Sequence, residues 1–165
     1  MNSRKKMIAK IVLTALCLIA VGAIFFNSSL DADTSTKQSD PLVDEINQFF
    51  ESIHIHITIT DKMVRKTAHF TEYAVLGALL SATLYLYVGR RRDSFAMTLP
   101  LGCAIALCDE VIQLFPKGRS CEITDVMIDS SGILFSALIV RLILYMIDRH
   151  HRKKGRKKRE RFIAE

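Results

Sequence analysis

The residues of this 165-residue chain best suited to chemistry fall into three short polar sets, each beside a long apolar run. Lys66, His69, Glu72 and Tyr73 open the second run, Asp109, Glu110 and Gln113 close the third, and Arg119, Asp125 and Asp129 lead into the fourth. Carboxylates and an imidazole brought together can act as acids and bases or hold a divalent ion. A guanidinium can make a two-pronged bond to a carboxylate or to a phosphate. Glu72, Asp109, Glu110, Asp125 and Asp129 cannot all be ionised and unpaired in a poorly hydrated site. Arg65, Lys66 and Arg119 are the cations at hand, with His69 as a titratable partner. On this reading Arg119 is the central cation, folding back from a short loop to bridge carboxylates of more than one helix.

The elements that must position these groups are the apolar runs themselves. Half of the chain is hydrophobic and 24% is charged, yet nearly all the charge lies between four blocks, Met7–Phe26, Thr67–Val88, Ser94–Phe115 and Val126–Ile147. About 20 apolar residues suffice to cross a bilayer as a helix. A soluble core would instead show amphipathic helices or alternating strands. Arg4, Lys5 and Lys6 precede the first block, as they would in a signal peptide. Its length, and the lack of a small-residue cleavage site after Phe26, favour a retained anchor. A lipoprotein signal at Cys17 is weaker, because Leu16 stands where a small residue is wanted. The four cysteines form no CxxC pair, so neither a disulfide framework nor a zinc site is indicated.

Between the first two blocks, Asn27–Asp40 is polar and reads as a flexible connector. Leu42, Val43, Ile46, Phe49, Phe50 and Ile53 then share one helical face, which predicts an amphipathic helix on the membrane surface or roofing the polar site. His54 and His56 follow in an alternating stretch that suits a short extended piece. Two histidines so spaced invite a metal reading, but solvent-facing residues on an irregular segment account for them. Gly89–Asp93 reads as a tight basic turn, and Pro116 and Gly118 as turn formers in the last connection.

The expected fold is therefore all-α: a polytopic membrane protein of four transmembrane helices plus a short extracytoplasmic amphipathic helix. Residues 1–26 would hold the cytoplasmic N-terminus and first span, 27–66 the extracytoplasmic linker and amphipathic helix, 67–147 a three-helix membrane core, and 148–165 a basic cytoplasmic tail. Orientation follows from Lys and Arg, which crowd the N-terminus, the turn after the second block and the tail. Both termini should thus be cytoplasmic, in a multi-pass protein of the cell membrane. The tail by itself looks like a nucleic-acid patch, but directly behind a span the membrane explains it, and no nucleic-acid partner is assigned. Arg141, near the inner end of the fourth block, is expected to snorkel.

With this topology the polar sets reach one level, within roughly 10 Å of the outer boundary at about 1.5 Å per residue. They also share faces. Asp109, Glu110 and Gln113 lie in one arc that Gly102 and Ala106 continue inward, and Asp125, Asp129, Gly132 and Ser136 form a similar stripe.

The ordered set Lys66-Thr-Ala-His69-Phe70-Thr-Glu72-Tyr73, Asp109-Glu110-x-x-Gln113, Gly118-Arg119 and Asp125-x-x-x-Asp129-x-x-Gly132 resembles the VanZ-like family. The resemblance covers about Arg65 to Leu144 and leaves the first span, the linker and the tail outside it. It implies a bacterial integral membrane protein, whose namesake is linked to low-level resistance to the glycopeptide teicoplanin. It implies no particular reaction.

Three readings of the site follow. The first is a binding site in the outer leaflet for an envelope component: a membrane lipid, or a lipid-linked cell-wall or teichoic-acid component. Lys66 and Arg119 would hold phosphate and the carboxylates would take sugar hydroxyls or a cation. The second is structural, with polar groups joining helices at about 1 kcal/mol or less each. The third is an enzyme using His69, Glu72, Asp109 and Glu110 in acid–base or metal chemistry on a lipid-linked substrate. The sequence assigns no cofactor and no metal, and the binding reading ranks first.

Overall fold

The computed structural model describes residues 3–54, 57–119 and 121–164, apart from the side chains of Gln38, His151 and 155–164. The described residues form five helices and no strand: α1 Ser3–Ser28, α2 Ala32–Ser52, α3 Asp61–Val88, α4 Arg91–Ile112 and α5 Ile123–Ala164. Four of these, α1, α3, α4 and α5 as far as Lys154, are long and apolar enough to cross a membrane. Large apolar side chains such as Leu18, Ile19, Phe26, Leu107, Phe135 and Leu142 stand exposed around them. A continuous apolar exterior of this kind suits hydrocarbon as its solvent, because every helical backbone group is satisfied internally.

Side-chain contacts fix the directions of the helices. Cys17 Sγ lies 3.4 Å from Thr83 Oγ1, and Asn27 Nδ2 donates to Glu72 Oε1 at 2.8 Å, so α1 and α3 are antiparallel. Ser94 Oγ donates to the Ser81 carbonyl at 2.8 Å across the two-residue connection between α3 and α4. Cys103 Sγ donates to Ser130 Oγ at 3.4 Å, while Glu122 N donates to Glu110 Oε2 at 2.9 Å, so α5 returns alongside α4. The end of α1, the start of α3, the end of α4 and the start of α5 therefore meet at one end of the bundle.

Just inward of that end the three helices α3, α4 and α5 close on one side chain. Ile133 of α5 is fully buried. A Cβ added to Gly77 of α3 would stand 2.8 Å from Ile133 Cα, and one added to Gly102 of α4 would stand 2.6 Å from Ile133 Cδ1. Gly132 meets α3 backbone directly, with its hypothetical Cβ 2.5 Å from the Phe70 carbonyl oxygen. Small residues let helices pack backbone to backbone where the hydrophobic effect cannot drive them together.

Several boundaries differ from the sequence expectation. The connector expected to be flexible is mostly helix. Asp31 caps α2 by accepting from Thr34 N at 2.8 Å, and Ala32 N donates to the Lys117 carbonyl at 3.1 Å. Ser39 Oγ donates to the Asp61 carboxylate, which holds α2 to α3. Pro41 sits inside α2, where it removes one rung of the ladder without ending it. Helix α3 starts at Asp61 rather than Thr67, because Thr60 accepts from Met63 N at its N-terminus. The basic turn shortens to Gly89 and Arg90, with Gly89 at φ 74° in the left-handed region that its missing Cβ allows. Helix α5 continues past Ile147 without a break to Ala164. His54 is exposed and His56 lies outside the described residues, while 57–60 has no regular structure instead of a strand-like form. Arg141 lies with its guanidinium 4.9 Å from the Phe95 ring centroid, a cation–π contact that keeps it at the opposite end of the bundle from the polar site.

Candidate functional site

The polar residues singled out from the sequence do gather at the end where α1, α3, α4 and α5 meet, but not at one level. The deepest layer holds His69 of α3, Asp109 of α4 and Asp129 of α5, with possible ligand atoms all within 4.8 Å of one another. Asp109 and Asp129 are fully buried, and His69 Nδ1 lies 3.5 Å from Asp129 Oδ1. Tyr73, also fully buried, sets its hydroxyl beside Asp109. Gln113 Nε2 donates to Asp109 Oδ2 at 3.3 Å and to Ser28 Oγ at 3.5 Å. Glu72 is half-buried at the edge of this layer, held by Asn27 of α1.

Glu110 takes a different place. Its Oε2 accepts from the Glu122 backbone N, where α5 begins, so this carboxylate serves as a cap for backbone N–H groups that a helix start leaves unsatisfied. Burial, and then the nearby Glu110 carboxylate, raise the pKa of the Cys121 thiol.

Above these acids lies a cationic rim. Lys62, Arg65, Lys66, His69, Gln113, Gly118, Arg119, Glu122 and Asp125 surround a hollow of about 110 Å³. Lys66 pairs with Asp125, and its Nζ also lies 3.5 Å from Glu122 Oε2; Lys62 Nζ is 3.5 Å from Glu122 Oε1. Arg65 Nε lies 3.2 Å from Asp61 Oδ2, within its own helix. The Thr124 hydroxyl and then Lys62 hold the Glu122 carboxyl below its usual pKa.

Arg119 does not form the bridge expected of it. Among the described residues it makes no ion pair with a carboxylate, and instead donates from Nη2 to the Asn27 carbonyl oxygen at 3.4 Å. The loop explains this. Gly118 turns the chain at φ 76°, and the Lys117 carbonyl is tied to α2, so Arg119 is aimed at the end of α1, whose last carbonyls have no partner within the helix. Burial, and then repulsion from Arg65, lower the pKa of the guanidinium, which remains charged.

Beside this rim a second hollow runs down α3, lined in part by Asn27, Ser39, Arg65, His69, Glu72 and Arg119. It shares Leu42, Val64, Ala68 and Glu72 with a mainly apolar groove of about 480 Å³ between α2 and α3, to which Ile46, Ile59 and Met63 add further apolar lining. The apolar face of α2 thus supplies one wall of a groove that adjoins the cation-lined hollows.

The sequence reading missed Asn27 and Ser28, which α1 delivers to the acids, and passed over Lys62 and Glu122 at the rim. The Thr60-Asp61 pair, an N-cap signature followed by helix-forming residues, would have put Lys62, Arg65 and Lys66 on one helix. Nothing local marks Asn27, which looks like the first residue of a polar linker. Among curated proteins, and among solved structures, none matches the chain. A family model described as VanZ/LLP1 matches residues 12–144. That span takes in most of α1 and all of α2, so the first helix and the linker, set outside the resemblance above, lie within the family's region. By this match over most of its length, and by the four apolar helices that carry the matched motifs, the chain belongs to the VanZ/LLP1 family of membrane proteins.

Proposed function

We propose that this protein binds a phosphate-bearing lipid of the cell envelope, with the polar end of its bundle at the outer face of the cell membrane and both termini in the cytoplasm. The observation that carries this reading is that the two hollows and the apolar groove lie side by side, each sharing lining residues with the next. Lys62, Arg65, Lys66 and Arg119 surround the space at one end, and Leu42, Ile46, Ile59 and Met63 line it at the other. A lipid has the same polarity along its length. Arg119 matters most, because it is the rim cation without a carboxylate partner among the described residues, and an anion would offset the repulsion from Arg65. Its planar fork matches two phosphate oxygens. The orientation is supported by the opposite end of the bundle, where Arg90, Arg91, Arg92, Arg141 and Arg152 cluster as on a cytoplasmic face. Holding or presenting a lipid-linked wall component would give a route to the glycopeptide-resistance phenotype of the family's namesake.

Native mass spectrometry of the full chain with undecaprenyl phosphate, and in parallel with the uncharged undecaprenol, tests the reading. The phosphate should be retained and the alcohol lost. Arg119→Gln should weaken phosphate retention roughly 10- to 100-fold, the worth of a charge-assisted hydrogen bond at about 1.5–3 kcal/mol. Equal retention of phosphate and alcohol would mean that only the apolar groove binds, and the headgroup reading would fall.

A further inference from the structure

We propose that His69, Asp109 and Asp129 form a binding site for a divalent transition-metal ion, beneath the cationic rim and independent of any lipid there. Three helices each contribute one residue, and the possible ligand atoms lie within 4.8 Å of one another. The His69 Nδ1–Asp129 Oδ1 separation of 3.5 Å is close to the edge of about 3.4 Å that joins two ligands each about 2.1 Å from a tetrahedral ion.

The second observation is unmet polarity. Both oxygens of Asp129, Oδ1 of Asp109, Nδ1 of His69 and the hydroxyl of Tyr73 are buried without a hydrogen-bond partner among the described residues. Asp109, Asp129 and Tyr73 are themselves fully buried. Polar structural joints between helices work by satisfying one another, and an unpaired buried carboxylate is costly. Among the described residues no Lys or Arg pairs with these acids: Lys66 pairs with Asp125 and Glu122, Arg65 with Asp61, and Arg119 turns to the Asn27 carbonyl. A cation from solution fills that need. His69 lines the rim hollow, which gives an ion its way in.

One imidazole and two carboxylates suit zinc or manganese, and this set holds no thiolate that would favour a softer ion. Asp109 already has an orienting partner in Gln113, as ligating carboxylates commonly do. The structural alternative, a proton shared among the acids, requires no metal and predicts no metal dependence.

The test uses the tag-free full chain in maltoside micelles, stripped with chelator and then equilibrated with ZnCl₂ or, separately, MnCl₂. Bound metal is measured by inductively coupled plasma mass spectrometry after desalting, and the thermal midpoint is followed with and without metal. No phosphate-bearing ligand is present, so failure here is separate from failure of the lipid reading. One ion per chain and a raised midpoint are expected. Asp129→Asn and His69→Gln should each weaken binding at least tenfold, while Asp93→Asn, at the far end beside Arg90, should bind as the parent does. Without metal, Asp129→Asn should melt no lower than the parent, since it removes a buried charge, which separates a lost site from a lost fold. Absence of stoichiometric binding overturns the proposal, and so does binding that survives either Asp129→Asn or His69→Gln.

Discussion

Gly132→Ala should damage the site although Gly132 has no side chain to contribute to it. A Cβ built there stands 2.5 Å from the Phe70 carbonyl oxygen and 3.1 Å from Ala74 N, both α3 backbone atoms. That is about 1 Å short of an ordinary non-bonded contact. Backbone cannot rotate aside as a side chain can, so α5 must move away from α3. His69 precedes Phe70 and Asp129 lies one turn before Gly132, so their 3.5 Å pair should open with the helices. Overpacking of this kind costs about 1–3 kcal/mol. Gly22→Ala is the proper control, because a Cβ there meets nothing within 4 Å and should gain about 0.5–1 kcal/mol of helix propensity. Thermal unfolding of the variants in lipid nanodiscs should place Gly132→Ala below the parent and Gly22→Ala at or above it. Gly77→Ala, whose Cβ would stand 2.8 Å from Ile133 Cα, should fall with Gly132→Ala. If Gly132→Ala melted with Gly22→Ala, close contact of α3 and α5 would not be what sets the site.

Asn27→Ala should cost on the order of 1 kcal/mol by the same melting measurement, since it removes the 2.8 Å bond to Glu72 that links α1 to the acids; a silent change would make α1 a mere neighbour of the site. Glu122 is held below its usual carboxyl value of 4.5 in the folded state, so its contribution is present above that value and lost as pH falls through the lowered one. Glu122→Gln should therefore melt below the parent at neutral pH, with the gap closing under acid conditions; a constant gap in a pH series of melts would contradict the ion pairs at the rim. Reporter fusions at Ser35 and at the C-terminus should report opposite sides of the membrane. Finding both on one side would refute the orientation proposed from Lys and Arg.

The membrane architecture was legible because hydrocarbon imposes a local rule. Each span must carry its own run of apolar residues and satisfy its own backbone, so four runs announce four helices without any knowledge of packing. Helix ends were less legible, since caps at Asp31 and Thr60 extend α2 and α3 into polar sequence that reads as linker. Hydrogen bonds from a single side chain decide such ends, and they leave no periodic trace.

By itself the sequence determined the helical spans, the small-residue faces of Gly102, Gly132 and Ser136, and the set of acids that helices of alternating direction carry to one end of the bundle. Those properties follow from the order and spacing of residues along single helices. Only the tertiary structure decided which charges meet. Lys62, Arg65, Lys66 and Arg119 are scattered through 58 positions that include two apolar spans, yet they surround one hollow because α3 starts early and the last loop folds back on α1. Glu110 adjoins Asp109 in sequence but is drawn off to cap α5, while Asn27, far from both, reaches Glu72. Arg119 turned to a helix-end carbonyl where the sequence suggested carboxylates. Pairings of that kind depend on distances of a few ångströms between segments, which the closure of α3, α4 and α5 on Ile133 sets and no single stretch of the chain encodes.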